Sequence, residues 1–211
     1  MTEGEWLAAT EPWRMLLFVQ AKTDARRLRL FAAACCRRVW TRLSDARSRA
    51  AVELAERAAE EAVEESVLAA AREAAWAART TSSPAAWAAW DCLADDAFRA
   101  AVDASRHAAW ATPDSPRQQE LEGQAAVLRD LVTNPFSPRP EVRSEWRTWR
   151  AGYVRQLAQG IRDDRMFQWI PVLADALEDA GCTDAELLGH LRSPGPHVRG
   201  CWAADLVLRE R

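Results

Sequence analysis

Apolar residues recur every three to four positions along most of the chain, which is the pattern of helices that bury one face. The segment 24–43 shows this most clearly, with one apolar stripe formed by Leu28, Phe31, Ala32, Cys35, Val39 and Leu43. The chain has no runs of β-branched residues typical of strands, and it holds only 8 glycines. The sequence therefore predicts an all-α fold, an irregular orthogonal bundle of about eight to ten helices.

Capping residues and prolines indicate where the helices begin. Thr2 and Glu5 have the spacing of a capping box, and Asp24 is a candidate N-cap. Pro12 and Pro84 suit the first helical position, where the missing amide proton costs nothing. With the apolar periodicity, these signals predict helices at about 2–9, 12–19, 24–43, 45–65 with a further helical stretch to 79, 84–110, 112–132, 144–162, 166–180, 184–192 and 197–209.

A proline-rich segment marks the best candidate for a domain boundary. Residues 134–140 hold three prolines in seven positions, so neither a helix nor a central strand can cross them. They divide an N-terminal helical body, 1–133, from a C-terminal helical segment, 141–211, which we expect to pack on that body. Within this segment Gly181 is a candidate helix C-cap, and 183–186 has the spacing of a second capping box.

Composition adds an unusual tryptophan content. The chain has 211 residues and a formal net charge of −3, so its overall charge favours neither nucleic acid nor an anionic membrane. It contains 11 tryptophans but one tyrosine, a bias typical of GC-rich genomes. Four of the tryptophans lie in alanine-rich surroundings: Trp76, Trp87, Trp90 and Trp110. Alanine lets helices approach closely and an indole fills the space beside it, so we expect these side chains in the core or at an interface.

Basic and acidic residues are separated along the chain. Residues 22–49 carry nine basic side chains against two acidic ones, whereas 53–65 carry six glutamates against one arginine. In the simpler interpretation, these helices of opposite charge pair with each other. Alternatively, a basic face stays open to the phosphate backbone of a nucleic acid, through Arg26, Arg27, Arg37, Arg38 and Arg42.

A second basic segment, 143–155, alternates arginines with aromatic residues. Bases of a nucleic acid could stack on its indoles while guanidinium groups hold phosphates. The arginines that this hypothesis uses are Arg143, Arg147 and Arg150. However, Trp146, Trp149 and Tyr153 have the spacing of a buried helical stripe, which favours core packing with the arginines at its edges.

The C-terminal part concentrates residues that can bind a metal. Two of the three histidines lie near two cysteines, and the set is Cys182, His190, His197 and Cys201. His197 and Cys201 would share one face of the predicted helix 197–209, as paired metal ligands do. Two thiolates and two imidazoles suit tetrahedral Zn²⁺, although the spacing matches no standard zinc finger. Core packing with helix capping is the simpler interpretation, and a catalytic thiol with Asp205 as orienting group is a third.

Other motifs narrow the class of protein. The sequence has no glycine-rich phosphate loop, no Gly-x-Ser-x-Gly and no His-Glu-x-x-His motif. It has no charge-free apolar stretch of roughly 18 residues that would predict a membrane span. Its start lacks the features of a secretory signal, and its 5 cysteines are an odd number that favours reduced thiols. We therefore expect a cytoplasmic protein without a membrane segment.

Several stretches resemble an expanded set of paralogous, uncharacterised planctomycete proteins. They are Glu5–Leu7, Leu30–Trp40, Asn134–Phe136, Leu173–Cys182 and His197–Trp202. The resemblance spans most of the chain and implies neither a substrate nor catalytic residues, because the family carries no established activity. Where family members often have His-Cys-Arg, this chain has Leu191 in the middle position.

Taken together, the sequence favours a non-enzymatic helical module for protein–protein interaction, an adaptor or a regulatory subunit. Such a module binds a protein partner through exposed helix faces, and it can form homo-oligomers. Two alternatives stay open: a nucleic-acid-associated protein that uses the arginine-rich helices, and a small zinc-binding domain at 182–201.

Overall fold

The computed structural model describes residues 1–79, 83–138, 140–141 and 143–208. Across these residues the protein is all-α, as the apolar periodicity predicts, and it contains no strand. The helices are α1 (Glu3–Ala8), α2 (Pro12–Val19), α3 (Ala25–Arg38), α4 (Ala46–Glu60), α5 (Glu65–Ala78), α6 (Pro84–Asp91), α7 (Ala97–Ala111), α8 (Asp114–Leu131), α9 (Ser144–Asp163), α10 (Ile170–Asp179), α11 (Ala185–Arg192) and α12 (Trp202–Leu208). Short 3₁₀ turns occur at Trp40–Arg42 and Phe167–Trp169.

Local capping signals place several helix starts correctly. The Thr2 hydroxyl accepts from the Glu5 amide, and the Glu5 carboxylate accepts from the Thr2 amide at 2.7 Å, which completes the predicted capping box. The Asp24 carboxylate accepts from the Arg27 amide at 2.8 Å and begins α3. Pro12 and Pro84 begin α2 and α6.

The described helices outnumber the prediction because two long predicted helices are interrupted. The predicted helix 24–43 ends at Arg38, where the backbone passes into the 3₁₀ turn. The predicted helix 84–110 divides into α6 and α7, because Asp96 acts as an N-cap and accepts from the Arg99 amide at 2.7 Å. A competing cap inside a periodic segment therefore starts a new helix.

Two further boundaries differ in the C-terminal part. Gly181 ends α10 with φ of 89°, and the Cys182 amide donates to the Leu177 carbonyl at 2.9 Å, as in a Schellman motif. The next N-cap is Asp184, which accepts from the Leu187 amide, and not the predicted Thr183. The last helix begins at Trp202, later than predicted.

The chain divides into two compact units, Met1–Leu128 and Arg129–Arg211. The division lies near the end of α8, before the proline-rich segment 134–140. Residues 80–82 of the predicted loop after α5, and Arg139 of the proline-rich segment, lie outside the described residues.

In the N-terminal unit α3 packs against α4, α6 and α7. Its central side chains, including Phe31 and Cys36, are fully buried. α7 offers small side chains to this contact, and four of them are fully buried: Ala100, Ala101, Ala104 and Ala108. The alanine-rich sequence thus lets helix backbones approach closely.

The C-terminal unit has its own apolar core, made by α9 to α12. The largest fully buried side chains there are Ile161, Ile170, Leu173 and Leu177. Trp146 and Trp202 are also buried in this core. This unit carries all four predicted metal ligands.

The predicted aromatic stripe of α9 is wrong at its end. Arg150, Ala151 and Gly152 have φ of 45°, 58° and 85°, so a left-handed kink separates two helical segments. As a result Trp146 is buried but Tyr153 is 44% exposed. Spacing along an unbroken helix does not hold across such a kink.

Candidate metal site

Four side chains of the C-terminal unit converge on one point. Asp130, His190, His197 and Cys201 each offer one ligand atom, and these atoms all lie within 4.8 Å of one another. Three of them belong to the predicted set, and Asp130 is new. We call this group the Asp-His-His-Cys cluster.

Different structural elements position these side chains. Asp130 lies in the last turn of α8, and His190 in the last turn of α11. His197 and Cys201 lie in the loop before α12, so the prediction that one helix face carries both is wrong. A turn brings them together instead: the Cys201 amide donates to the Val198 carbonyl at 3.0 Å, and Gly200 has φ of 89°.

Asp130 is the centre of the polar contacts. Its Oδ1 lies 2.8 Å from His197 Nδ1 and 3.0 Å from His190 Nε2. Its Oδ2 accepts from the Val198 amide at 2.9 Å. Cys201 Sγ lies 3.3 Å from His190 Nε2 and 3.9 Å from His197 Nδ1. One carboxylate oxygen therefore faces both imidazole rings, with the thiol beside them.

Burial and charge set the protonation preferences of these groups. Burial raises the pKa of Asp130, but the hydrogen bonds and charges of the two histidines outweigh it and leave the pKa below its usual range. For His197, burial lowers the pKa, but Asp130 outweighs it and raises the pKa overall. Burial, with a smaller contribution from the Asp130 charge, raises the pKa of the Cys201 thiol far above its usual range. The carboxylate is thus the fixed negative charge of the cluster.

The second nitrogen of His197 has a partner of its own. His197 Nε2 lies 3.2 Å from the Ser193 carbonyl, which can only accept, so Nε2 carries the proton. In a neutral ring Nδ1 then holds a lone pair, and this lone pair faces the Asp130 oxygen at 2.8 Å. Two acceptors repel at that distance unless a proton or a metal ion lies between them.

The separations also suit a bound metal. Zn²⁺ bonds of about 2.0–2.3 Å place tetrahedral ligands roughly 3.3–3.7 Å apart. The four N···O and N···S separations quoted above run from 2.8 to 3.9 Å around that range. A carboxylate, two imidazoles and a thiol are a donor set that Zn²⁺ accepts.

Cys182 is not a member of the cluster, which corrects the predicted ligand set. It is buried in the apolar core of the C-terminal unit, just after the Gly181 turn. Burial raises the pKa of its thiol. Cys182 therefore follows the simpler interpretation, a cysteine that packs as a small apolar side chain.

Most of the arginines of 22–49 pair with carboxylates. Arg26 Nη2 lies 2.7 Å from Glu60, Arg37 Nη2 lies 2.8 Å from Glu56, and Arg38 Nη2 lies 3.0 Å from Glu120. Arg27 pairs with Asp24 within α3 and its N-cap. The interpretation that oppositely charged helices pair with each other is confirmed for α3 and α4.

The remaining candidate arginines do not make one common face. Arg42 and Arg143 are exposed. Arg147 donates to the carbonyls of Val207 and Leu206, near the C-terminal end of α12. Arg150 lies 4.3 Å from the ring centroid of its neighbour Trp149. Two of these four side chains therefore already have partners within the C-terminal unit.

The alanine-flanked tryptophans are not core residues. Trp76 is 55% exposed, and Trp110 is exposed to a similar degree. Instead, Trp76 packs on Trp90 with ring centroids 5.2 Å apart, and Trp87 packs on Trp90 at 6.5 Å. They form a surface cluster in the N-terminal unit, so the expectation of core packing is wrong for them.

No protein-family model matches the chain, and no curated protein or solved structure matches it. The resemblance to planctomycete paralogues accordingly stays a prediction. In the part of the chain that the structure describes, no helix is long and apolar enough to cross a membrane.

Proposed function

We propose that the C-terminal unit is a zinc-binding module, in which the Asp-His-His-Cys cluster holds one structural Zn²⁺. The observation that carries this proposal is the contact between His197 Nδ1 and Asp130 Oδ1. His197 gives its Nε2 proton to Ser193, so a cation between the other nitrogen and the carboxylate relieves their repulsion.

The surroundings of the cluster favour a structural ion over a catalytic one. Asp130 and Cys201 are both 2% exposed, and the four protein ligands fill a tetrahedral shell. The indole of Trp202 covers the cluster on one side, 4.8 Å from the His190 ring. A catalytic zinc keeps one position for water or substrate, whereas a structural zinc uses four protein ligands. The ion would tie α8, α11 and the loop before α12 together.

Metal analysis tests the proposal directly. Protein purified without a histidine tag is expected to contain about one molar equivalent of zinc by mass spectrometry of the dissolved metal. His197→Ala is expected to lose it. His107→Ala is the matched control, because His107 lies in α7 of the N-terminal unit. Less than about a tenth of an equivalent in the wild type, also after incubation with zinc, contradicts the proposal.

A second candidate function is the protein-interaction module, and the surface of α1 and α2 supports it. Leu7, Trp13 and Leu17 are 58%, 49% and 50% exposed. They line one open groove together with Ala8 and Phe18. Neighbouring exposed apolar side chains of this size are typical of surfaces that contact another protein.

Sedimentation and pull-down test this second function. Wild-type protein is expected to form an oligomer or to capture a specific partner, and Leu17→Glu is expected to abolish that association. Val67→Glu is the control, because Val67 is also exposed but lies on α5. Strictly monomeric wild type with an empty pull-down contradicts the interaction module.

The cysteines support a cytoplasmic location as part of this proposal. All five are free thiols, and all are buried. Disulfides form in oxidising compartments, so a buried set of unpaired thiols suits a reducing one.

A further inference from the structure

The N-terminal unit contains a cage of three indoles with a guanidinium inside. The Cζ atom of Arg79 lies 3.1 Å from the ring centroid of Trp76, 3.8 Å from that of Trp87 and 4.5 Å from that of Trp90. We call the three indoles the tryptophan cage. Indole faces attract cations within about 6 Å because of their negative π surface, so all three walls contribute.

The cage is assembled from pairs of residues three positions apart on consecutive helices. Trp76 lies in the last turn of α5, and Arg79 is the C-cap of that helix. Trp87 and Trp90 lie on α6. This spacing places the two members of each pair on the same side of their helix. The cage therefore follows from the backbone of two helices and does not depend on a loop.

Arg79 is a poor occupant of this cage. Only 7% of the residue is exposed, and its Nε and Nη1 atoms are buried with no hydrogen-bond partner among the described residues. A guanidinium has five N–H donors, and a buried donor without an acceptor is unfavourable. The indole faces satisfy the charge of Arg79 but leave these two donors unsatisfied.

A quaternary ammonium group suits the same cage better. It carries a full positive charge on a compact group and has no N–H donor that burial would leave unsatisfied. The Asp91 carboxylate adds negative charge near Arg79. The rim is open to solvent, since Trp76 and Trp87 are both partly exposed.

We propose that the tryptophan cage is a binding site for a trimethylammonium group, and that Arg79 occupies it as an internal competitor. Ligand entry requires Arg79 to leave, so the wild-type affinity is reduced by the fraction of molecules in which the cage is empty. Removing the guanidinium removes this competition. The cage lies in the unit that does not hold the zinc ligands, so the two proposals fail independently.

Titration with tetramethylammonium chloride tests the site, with sodium chloride at equal ionic strength as the reference. Calorimetry and indole fluorescence are expected to show saturable binding to Arg79→Ala, with an affinity at least about tenfold higher than that of the wild type. Trp87→Ala in the Arg79→Ala background is expected to abolish it. Arg14→Ala is the matched control, because it removes an arginine from above the exposed Trp13 and is expected to behave as the wild type.

Two results overturn the proposal: no saturable binding to a folded Arg79→Ala protein, or binding that the loss of Trp87 leaves unchanged. If Arg79→Ala does not fold, Arg79→Asn takes its place, since asparagine suits the end of a helix. Choline and a trimethyllysine peptide then distinguish the sources of the group. Tighter binding of the peptide assigns the site to a modified protein tail, and equal binding assigns it to a free small molecule.

Discussion

Asp130 accepts hydrogen bonds from His190 and His197, which lie 60 and 67 residues further along the chain. Its other oxygen accepts from the Val198 amide. A single buried carboxylate thus joins the end of α8 to two separate segments of the C-terminal unit. These contacts are present whether or not a metal ion is bound, and they make Asp130 important for stability as well.

Replacing Asp130 is expected to destabilise the metal-free protein. In the presence of a chelator, Asp130→Ala should lower the free energy of unfolding by about 2–4 kcal/mol, because it leaves a buried amide and two imidazoles without their acceptor. Urea unfolding measures this change. Asp175→Ala is the control in the same unit: its exposed carboxylate pairs with Arg192, so its effect should stay within about 0.5 kcal/mol. Equal effects of the two substitutions would contradict the role of Asp130.

The sequence could predict part of this cluster but not its centre. His190, His197 and Cys201 are chemically distinctive and close in sequence, so they suggest a common site. Asp130 lies far from them, and only the tertiary packing of α8 brings it near. One signal was available: Asp130 follows Leu128 and precedes Leu131 in an apolar segment, and a buried carboxylate rarely lacks a partner.

Local interactions explain which features of the fold are predictable. The caps at Thr2 and Asp24, and the Gly181 turn, depend on a few neighbouring residues, and the structure contains all of them. The burial of a tryptophan depends instead on which helices meet. Trp76 and Trp90 have alanine neighbours, yet they pack around Arg79 at the surface, because this cation is available there.

The ion pair between Arg37 and Glu56 gives a second prediction. Arg37 Nε and Nη2 both donate to the Glu56 carboxylate, at 3.0 and 2.8 Å, and Glu56 is buried. Arg37→Ala removes this bidentate partner and should cost about 2–3 kcal/mol of unfolding free energy, reduced from the fully buried case because Arg37 is partly exposed.

The control for this pair lies on the same helix as Glu56. Arg57 pairs with Glu61, and both side chains are more than half exposed. Arg57→Ala should therefore change the free energy of unfolding by less than about 0.5 kcal/mol. Thermal and urea unfolding of both variants provide the comparison, and a cost for Arg37→Ala as small as that for Arg57→Ala would contradict a stabilising role for the Arg37 pair.

Gly123 gives a third prediction, because the guanidinium of Arg38 lies where a Cβ atom would be. Arg38 cannot move away freely, since it donates to Glu120, a buried residue, at 3.0 and 3.1 Å. Gly123→Ala should therefore destabilise the protein by about 1–3 kcal/mol, although alanine favours a helix by about 1 kcal/mol over glycine.

A second helical glycine provides the comparison. At Gly160, within α9, nothing lies within 4 Å of an added Cβ atom. Gly160→Ala should stabilise the protein by about 0.5–1 kcal/mol, since only the helix preference changes. Opposite signs in the two unfolding experiments are the expected result, and stabilisation by Gly123→Ala would show that Arg38 does not need its place.

The N-cap of α4 predicts a specific acid dependence. Hydrogen bonds from the Arg47 guanidinium and then from its amide lower the pKa of Asp45 to about 2. An unfolded aspartate titrates near about 3.9, so the lowered pKa stabilises the folded state at neutral pH and this contribution disappears as the pH falls towards 2. Nuclear magnetic resonance of the carboxyl carbon should report the low pKa directly, and Arg47→Ala should raise it towards the ordinary range. Correspondingly, the stability difference between wild type and Arg47→Ala should be present at pH 6 and lost near pH 2, and a difference that grows on acidification would contradict the assignment.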